Sequence, residues 1–366
     1  MLNKHTLLKT IDRYIIKKFL GTFFLSISLI ILIVIIFDVS EKIDDFIESK
    51  APLNEIIFSY YLNFIPYFVN LFSSLFAFIS VIYFTAKMAS NTEIIAILSS
   101  GISFRRLLVP YMISAFILAV MSFYLANFLI PYANQKRLAF ENRYIKVPSR
   151  NRTRDIHLQI KPAGTFVYVQ SFTDESKIGY RFTLEKIGQK GLYYKMEADY
   201  IKWDSLSHKW KIMDYNIRTI NNMKEGIRSG KELDTLLNLK PSDLTPKLVD
   251  VDVMNFTQLR KFIDDEKLKG SENLQFYIVQ KDKRVASPFA TIVLTLIGVS
   301  LSGRKIRGGI GIYLGAGITI SFAYILFMQV STTFANFGNM PPLIAVWLPN
   351  VLFLMLGFYL LKTAPK

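Results

Sequence analysis

A chain of 366 residues with 51% hydrophobic and 14% aromatic side chains, and a mean hydropathy of +0.30, is too apolar for an ordinary soluble domain and reads as a membrane protein. Its formal net charge of +16, from 44 Lys and Arg against 28 Asp and Glu, points to an anionic partner, although sign alone does not separate lipid headgroups from nucleic acid. Cysteine is absent, which excludes disulfides, thiolate metal sites and cysteine nucleophiles.

Six apolar segments are long enough, or nearly so, to cross a hydrocarbon core of about 30 Å. They fall at residues 19–37, 56–85, 107–130, 285–301, 310–330 and 343–361. The first follows Lys4, Lys9, Arg13, Lys17 and Lys18 and runs into Asp38 and Glu41 with no small-residue cleavage site, so a retained anchor is expected. Its far end, "DVSEKIDDF", sets Lys42 among Asp38, Glu41, Asp44 and Asp45. The second segment would be about 45 Å long as a helix, so it must tilt, kink near Pro66 or leave the bilayer.

Between spans two and three lies "ASNTEIIAILSSG". Ser90-Asn91-Thr92-Glu93 fits the S-x-x-E capping box, Ile94, Ile95, Ile97 and Leu98 form one apolar face, and Gly101 is placed as the stop. The spacing predicts a helix over about 91–100, either a plain amphipathic surface helix or an element that packs into a groove on a soluble partner.

Residues 131–284 follow span three. "HLQIKPAGTFVYVQSF", "RFTLEKI", "GLYYKMEADYIKWD" and "HKWKIMDYNIRTI" read as strands with interrupted alternation, separated by turns at Pro162-Ala163-Gly164, Gly179 and Gly188 to Gly191. An antiparallel sandwich or jelly roll is expected, with Phe166, Tyr168 and Phe182 on its inner face, followed by an amphipathic helix at about 256–269 that leads back to the membrane. Span four is the weakest, with Ser287 and Pro288 near its start. Span five carries Gly311, Gly315 and Gly317, and the first two have the spacing that lets helices approach closely, which predicts packing inside the bundle. Pro66 in span two and Pro349 in span six hint at a three-plus-three repeat.

Basic residues orient the spans. On one side lie the five N-terminal ones, then Lys87, Arg105 and Arg106, then Arg304, Lys305 and Arg307, then Lys362 and Lys366; the short loops opposite hold only Lys42 and Lys50. The positive-inside rule then puts both termini in the cytoplasm and residues 131–284 outside. The sequence offers no carrier for catalysis. It has no G-x-x-x-x-G-K-[ST], since "SGRKIRGG" at 302–309 lacks the spacing; no G-x-S-x-G; no zinc spacing among His5, His157 and His208; and no carboxylate pair inside a span. No catalytic or metal-binding residue is assigned.

"IDRYIIKKFLGTFF", "MASNTEIIAILSSGIS", "DLTPKLVDV" and "FANFGNMPPLIAVWLPNVLFL" resemble the lipopolysaccharide-export permease family, the F and G type subunits of the Lpt transporter, and the opening leans toward the G type. The resemblance implies an α-helical membrane protein of six spans (3+3) with an inserted periplasmic all-β jelly-roll-like domain. It divides the chain into residues 1–130, 131–284 and 285–366. It implies pairing with a second permease of the family in the bacterial inner membrane, and lipopolysaccharide passed to a periplasmic bridge or membrane-anchored jelly-roll partner. A cytoplasmic ABC ATPase dimer would be held through Ser90, Glu93, Ile94, Ile97, Leu98 and Gly101. No cofactor is bound by this chain; ATP and Mg are used by the ATPase, and nucleic acid is not a partner. The substrate path it implies takes in Asp38, Lys42, Phe166, Tyr168, Phe182, Gly311 and Gly315. One departure stands out: the family often places basic residues at the outer end of span one to meet lipid A phosphates, where this chain is largely acidic. Permeases for lipoprotein release or mechanical signalling, and a non-transporting envelope scaffold, share the inventory of spans, although such permeases usually carry the large domain after the first span.

Overall fold

The computed structural model describes residues 9–145, 152–160, 162–188, 191–205, 207–221, 224–244, 250–271, 273–304 and 309–364. Lys4, His5, Lys305, Arg307, Lys366, parts of "SGRKIRGG" and "DLTPKLVDV", and the centre of the turn read at Gly188 to Gly191 lie outside the described residues. The chain forms two compact units: one of residues 1–146, 252–256 and 275–366, the other of 147–251 and 257–274.

The first unit holds six helices long and apolar enough to cross a membrane: α1 (Thr10–Glu48), α2 (Leu53–Ser90), α4 (Phe104–Tyr144), α6 (Leu274–Ser302), α7 (Gly309–Asn336) and α8 (Pro342–Thr363), with the short α3 (Glu93–Ser99) between α2 and α4. α5 (Phe256–Lys269) belongs almost wholly to the second unit and coincides with the amphipathic helix expected there. α4 runs past residue 131 and α6 starts before 285, so helix continues beyond the apolar segments at both junctions with the insert. The reason lies in "NQKRLAFENRY" and "LQFYIVQKDKR", which keep helical spacing after hydropathy falls.

α1 buries one stripe at every fourth residue, Ile15, Phe19, Phe23, Ile27 and Ile31, while Phe24, Leu25, Leu29, Leu32 and Phe37 are exposed. A helix with a single buried stripe and an apolar remainder is solvated by lipid on its other faces. α6 is the opposite case. Of its most apolar 18-residue stretch 72% is buried, against 22% for α1, so the span with Ser287 and Pro288 near its start is the most enclosed. A methyl group at Gly298 of α6 would lie 2.5 Å from Val81 and 3.1 Å from Phe78 of α2. In α7, Gly317 meets Ile82.

Gly311 and Gly315, expected to pack inside the bundle, face open space among the described residues. The reason is angular: two further residues along α7 turn Gly317 about 200° away from Gly315. Tyr324 donates to Asn350 Oδ1 (2.9 Å), and Asn350 Nδ2 donates to the carbonyl of Ala286 (3.1 Å), so one buried amide ties α7, α8 and α6.

The second unit is built on a six-stranded antiparallel sheet: β1 (Arg152–Ile160), β2 (Thr165–Thr173), β3 (Ile178–Gly188), β4 (Gly191–Asp204), β5 (Lys209–Asn221) and β6 (Lys224–Thr235). Each strand pairs with its chain neighbour, so among the described residues the sheet of the inserted β domain is a sequential meander. β6, "KEGIRSGKELDT", is polar and exposed and carries no sequence signal. Buried rows cross the strands: Val167–Leu184–Met196, Val169–Phe182–Ala198–Tyr215, and Phe172–Gly179–Ile201–Ile212. Trp210 is fully buried and its Nε1 donates to the carbonyl of Leu239 at 2.7 Å; Leu239 and Leu244 join the same apolar cluster.

Between the second and third rows the pairing lapses along a line through Asp155, Gln170, Arg181, Asp199, Asp214 and Lys231. On alternate strands the residue on the line is left-handed, with φ 52° at Asp155, 50° at Arg181 and 49° at Asp214. Inward positions are three apart across this crease (169 and 172, 179 and 182, 198 and 201, 212 and 215) instead of two, so the same face stays apolar on both sides.

The crease predicts a selective sensitivity at Asp214. Glycine adopts the left-handed region freely and a β-branched residue does not, so Asp214→Gly should leave thermal stability unchanged or raised and Asp214→Val should lower it by about 1–2 kcal/mol. Melting of the full chain followed by Trp203 and Trp210 fluorescence checks this; equal melting of the two variants would contradict a left-handed backbone at 214.

Candidate functional site

Two clusters and one face hold the residues that the sequence singles out. At one end of the membrane unit α2 remains helical through Ser90, and the chain reverses at Asn91 and Thr92, whose φ is 64°. α3 then starts at Glu93 with Thr92 as its N-cap and no side-chain cap. The capping box expected at Ser90 is therefore not formed: Ser90 ends the preceding helix instead of flanking the next one. The Glu93 carboxylate instead accepts from the Tyr14 hydroxyl of α1 (3.2 Å) and from Asn91 Nδ2 (3.3 Å). Gly101 takes φ 87°, and its N–H reaches the carbonyl of Leu98 at 3.0 Å, which closes the helix as expected.

The apolar face of α3 points inward. Ile94 is 1% exposed, and Ile97 and Leu98 pack on the cluster of Ile15, Phe19, Phe84 and Phe104. Ile94 is thus withdrawn from the surface, Ile97 and Leu98 are half-buried, and Ile95 is the most exposed of the large apolar residues of α3, at 49%. Beside the turn, Arg106 makes a bidentate pair with Asp12 (2.8 and 2.6 Å), and Asp12 also accepts from the backbone N–H of Lys9 at 2.9 Å. Charge-assisted, two-point pairing of this kind fixes geometry as well as energy. The first turns of α1 are thus fastened on both sides of α3. Asp12 and Tyr14 lie in the stretch "IDRYIIKKFLGTFF" and Asn91 in "MASNTEIIAILSSGIS", but neither stretch shows that α1 and the turn are adjacent, which is what gives these residues their partners.

At the opposite end of α1, Asp38 and Lys42 are not a free charge cluster. Lys42 Nζ lies 3.0 Å from Asp38 and 4.0 Å from Glu141 of α4, and it donates to the Tyr60 hydroxyl. The Tyr60 and Tyr61 hydroxyls donate to the two oxygens of Asp38 at 3.2 and 3.1 Å, and Arg137 Nε stands 3.5 Å from Glu141. Successive helical residues normally diverge by about 100°. Here both tyrosines come from a π-helical stretch, Ile56–Tyr61, a wider turn frequent at functional sites. Two acids and two bases make the cluster formally neutral, so it offers no net attraction for phosphate. Its signals in the sequence were the i, i+4 spacings of Asp38 with Lys42 and of Arg137 with Glu141, and the Tyr60-Tyr61 pair.

Nearby in the same unit, Asn134 Nδ2 donates to the carbonyl of Asp252 (3.2 Å), Gln135 Nε2 to that of Val253 (2.9 Å) and Arg284 Nη1 to that of Met254 (2.7 Å). These bonds seat the segment that re-enters the membrane unit on α4 and α6. Burial pushes the Asp252 carboxyl above the usual aspartate range, against the pull of Arg284, Arg137 and Lys283.

In the sheet, Phe182 lies in a buried row, but Phe166 and Tyr168 lie on the other face. Phe166 is 40% exposed, and Tyr168 packs on His157 and donates to Asp155 at 2.9 Å. The three do not share an inner surface because Phe182 stands opposite Val169, an odd position of β2, whereas Phe166 and Tyr168 are even.

Comparison with known proteins completes the picture. A sequence model of "Lipopolysaccharide export system permease LptF/LptG" matches residues 13–363. A protein of Haemophilus influenzae, named lipopolysaccharide export system permease protein LptG, is 22% identical over 365 residues, covering 97% of this chain and 99% of the relative. The protein of that name in Escherichia coli K12 is 20% identical over 308 residues, covering 82% and 84%. Because the match runs from the first turns of α1 through the inserted sheet to the end of α8, the chain belongs to the LptF/LptG permease family.

Proposed function

We propose that this chain is the G-type permease subunit of an ABC transporter that extracts lipopolysaccharide from the bacterial inner membrane and hands it to a periplasmic bridge. The observation that carries the reading is the family match over residues 13–363, which takes in both halves of the membrane unit and the insert. The basic residues Lys87, Arg105, Arg106 and Arg304 support placing both termini and α3 in the cytoplasm and the sheet in the periplasm. ATP is hydrolysed by a separate ATPase dimer, in keeping with a sequence that lacks a phosphate-binding loop. A second permease of the family completes the pathway, and the open face of α7 at Gly311 and Gly315 suits close approach of its helix. Phosphates of the substrate are met by that partner or through a divalent cation, because Lys42 is already engaged.

In this reading α3 is the mechanical link to the ATPase. Its docking surface is the outward edge around Ile95, and Glu93 positions the turn through Tyr14. The sheet carries acyl chains along the face of the Phe182 row, entering from the half-buried rim at Tyr194 and Ile217.

Labelling of single cysteines introduced into this cysteine-free chain checks orientation: Asp174→Cys should react from the periplasm and Arg304→Cys from the cytoplasm only. Reversal of either would overturn the assigned topology.

Photo-crosslinkers at Tyr194 and Ile217 should capture lipopolysaccharide in an ATP-dependent manner, and those at Phe166 and Tyr168 should not. Adducts confined to the Phe166 face would reject the proposed path, and adducts at none of the four would reject the sheet as a lipid carrier.

Ile95→Asp should lower ATPase recovery with the permease at least tenfold, or about 1.4 kcal/mol. Glu93→Gln, which still accepts from Tyr14, should stay within about twofold of wild type, with Tyr14→Phe and Glu93→Ala both weaker. Loss of the ATPase in Glu93→Gln alongside full recovery in Tyr14→Phe would make Glu93 a direct charge contact instead.

A further inference from the structure

α4 begins with two neighbouring arginines that have opposite fates. Arg106 is held by Asp12 in a bidentate pair. Arg105 is exposed and has no hydrogen-bond or ion-pair partner among the described residues. From Arg105 a shallow, open groove along one face of α4 runs to Ile117, lined at helical spacing by residues of that helix alone, among them Val109, Met112, Ile113 and Phe116, and Arg105 is its one charged group. The other face of the same stretch, Leu107, Tyr111, Ser114, Ala115 and Leu118, is buried within the chain. Val109, Phe116 and Ile117 are 42%, 62% and 47% exposed.

We infer that this face of α4 is a seat for one anionic phospholipid, with its phosphate on Arg105 and an acyl chain along the groove to Ile117. The groove lies on a helix long and apolar enough to cross a membrane, which brings lipid within reach of this face. Twelve residues of helix rise about 18 Å, close to the roughly 15 Å that one leaflet contributes to the hydrocarbon core. A single arginine at the headgroup end with only apolar side chains below it matches the division of a lipid molecule. A peptide would leave its backbone polar groups unanswered along such a lining. An uncompensated cation also favours a headgroup of net negative charge over a zwitterionic one, whose own cation opposes it. The inference does not depend on the export reading, since it needs only that α4 spans a membrane.

The test uses the full chain in nanodiscs of phosphatidylcholine and phosphatidylglycerol, with one lipid at a time brominated at mid-chain and Phe116→Trp as reporter. Subtracting the parent chain removes the signals of Trp203, Trp210 and Trp347. Brominated phosphatidylglycerol should quench with about fivefold preference over brominated phosphatidylcholine, the size expected for one cation at an anionic headgroup. Arg105→Gln should abolish the preference and Arg105→Lys should keep it, which separates lost charge from lost folding. A second reporter, Phe24→Trp on the exposed face of α1, should show no preference. Equal quenching at Phe116→Trp, a preference that survives Arg105→Gln, or the same preference at Phe24→Trp would each overturn the assignment. So would loss of a bound cytoplasmic protein in Arg105→Gln without any lipid preference in the parent, which would make Arg105 a protein contact.

Discussion

The membrane unit depends on one ridge of α2, formed by Phe78, Val81 and Ile82. Val81 packs in the cluster that α1 and α4 complete, while Phe78 and Ile82 belong to the cluster built from α6, α7 and α8. Gly298 and Gly317 have no side chain because this ridge occupies the space. In lipid, where apolar burial gives helices little reason to associate, such close contact and buried hydrogen bonds have to hold them together. The Tyr324–Asn350–Ala286 link supplies the second kind in the later half of the chain. The ridge therefore joins the first three spans to the last three.

Around that seam the two ends of α1 are fixed in different ways. At the α3 end a buried carboxylate is matched to a guanidinium at two points and a tyrosine reaches the first residue of α3. At the other end the charges of Asp38, Lys42, Glu141 and Arg137 cancel within an aromatic surround of Phe46, Tyr60, Phe64 and Phe140. α1 is therefore tied to its neighbours at both ends, by a charge pair and a tyrosine at the α3 end and by a neutral polar cluster at the other.

Hydropathy made the six spans legible because each apolar segment is long enough, or nearly so, to cross the hydrocarbon core, and the 3.6-residue pattern of "FTQLRKFIDDEKLK" gave α5 to the residue. Strand positions were legible, but their faces were not. Alternation predicts inward residues two apart, and the crease inserts a step of three in the four central strands, so Phe182 and Tyr168 fall on opposite sides. β6 was invisible because its side chains are almost all exposed and only its backbone belongs to the sheet. At the site, Ser90 and Glu93 had the right spacing for a cap, but the preceding helix overran it. Ile94, Ile97 and Leu98 formed a face that packs, wholly for Ile94 and in part for the other two, on an apolar cluster of their own bundle. The partners of Tyr14, Asp12 and Tyr60 were beyond reach, since these contacts span roughly 20 to 95 positions of chain.

The line of Asp155, Gln170, Arg181, Asp199, Asp214 and Lys231 acts on the sheet as a shared change of reading frame. The four central strands enter it with one parity facing the apolar side and leave with the other, and the pairing lapses on the same line across the sheet, so the register on either side stays in step. Removing one residue from one strand at this line would put half of that strand out of frame with its neighbours, exposing positions such as Ile212 or Phe172 while burying charged ones. The feature can then be lost only by matched deletions across the sheet. Strand length should vary freely at the hairpin ends, while the distance from each inward residue to the crease is held constant.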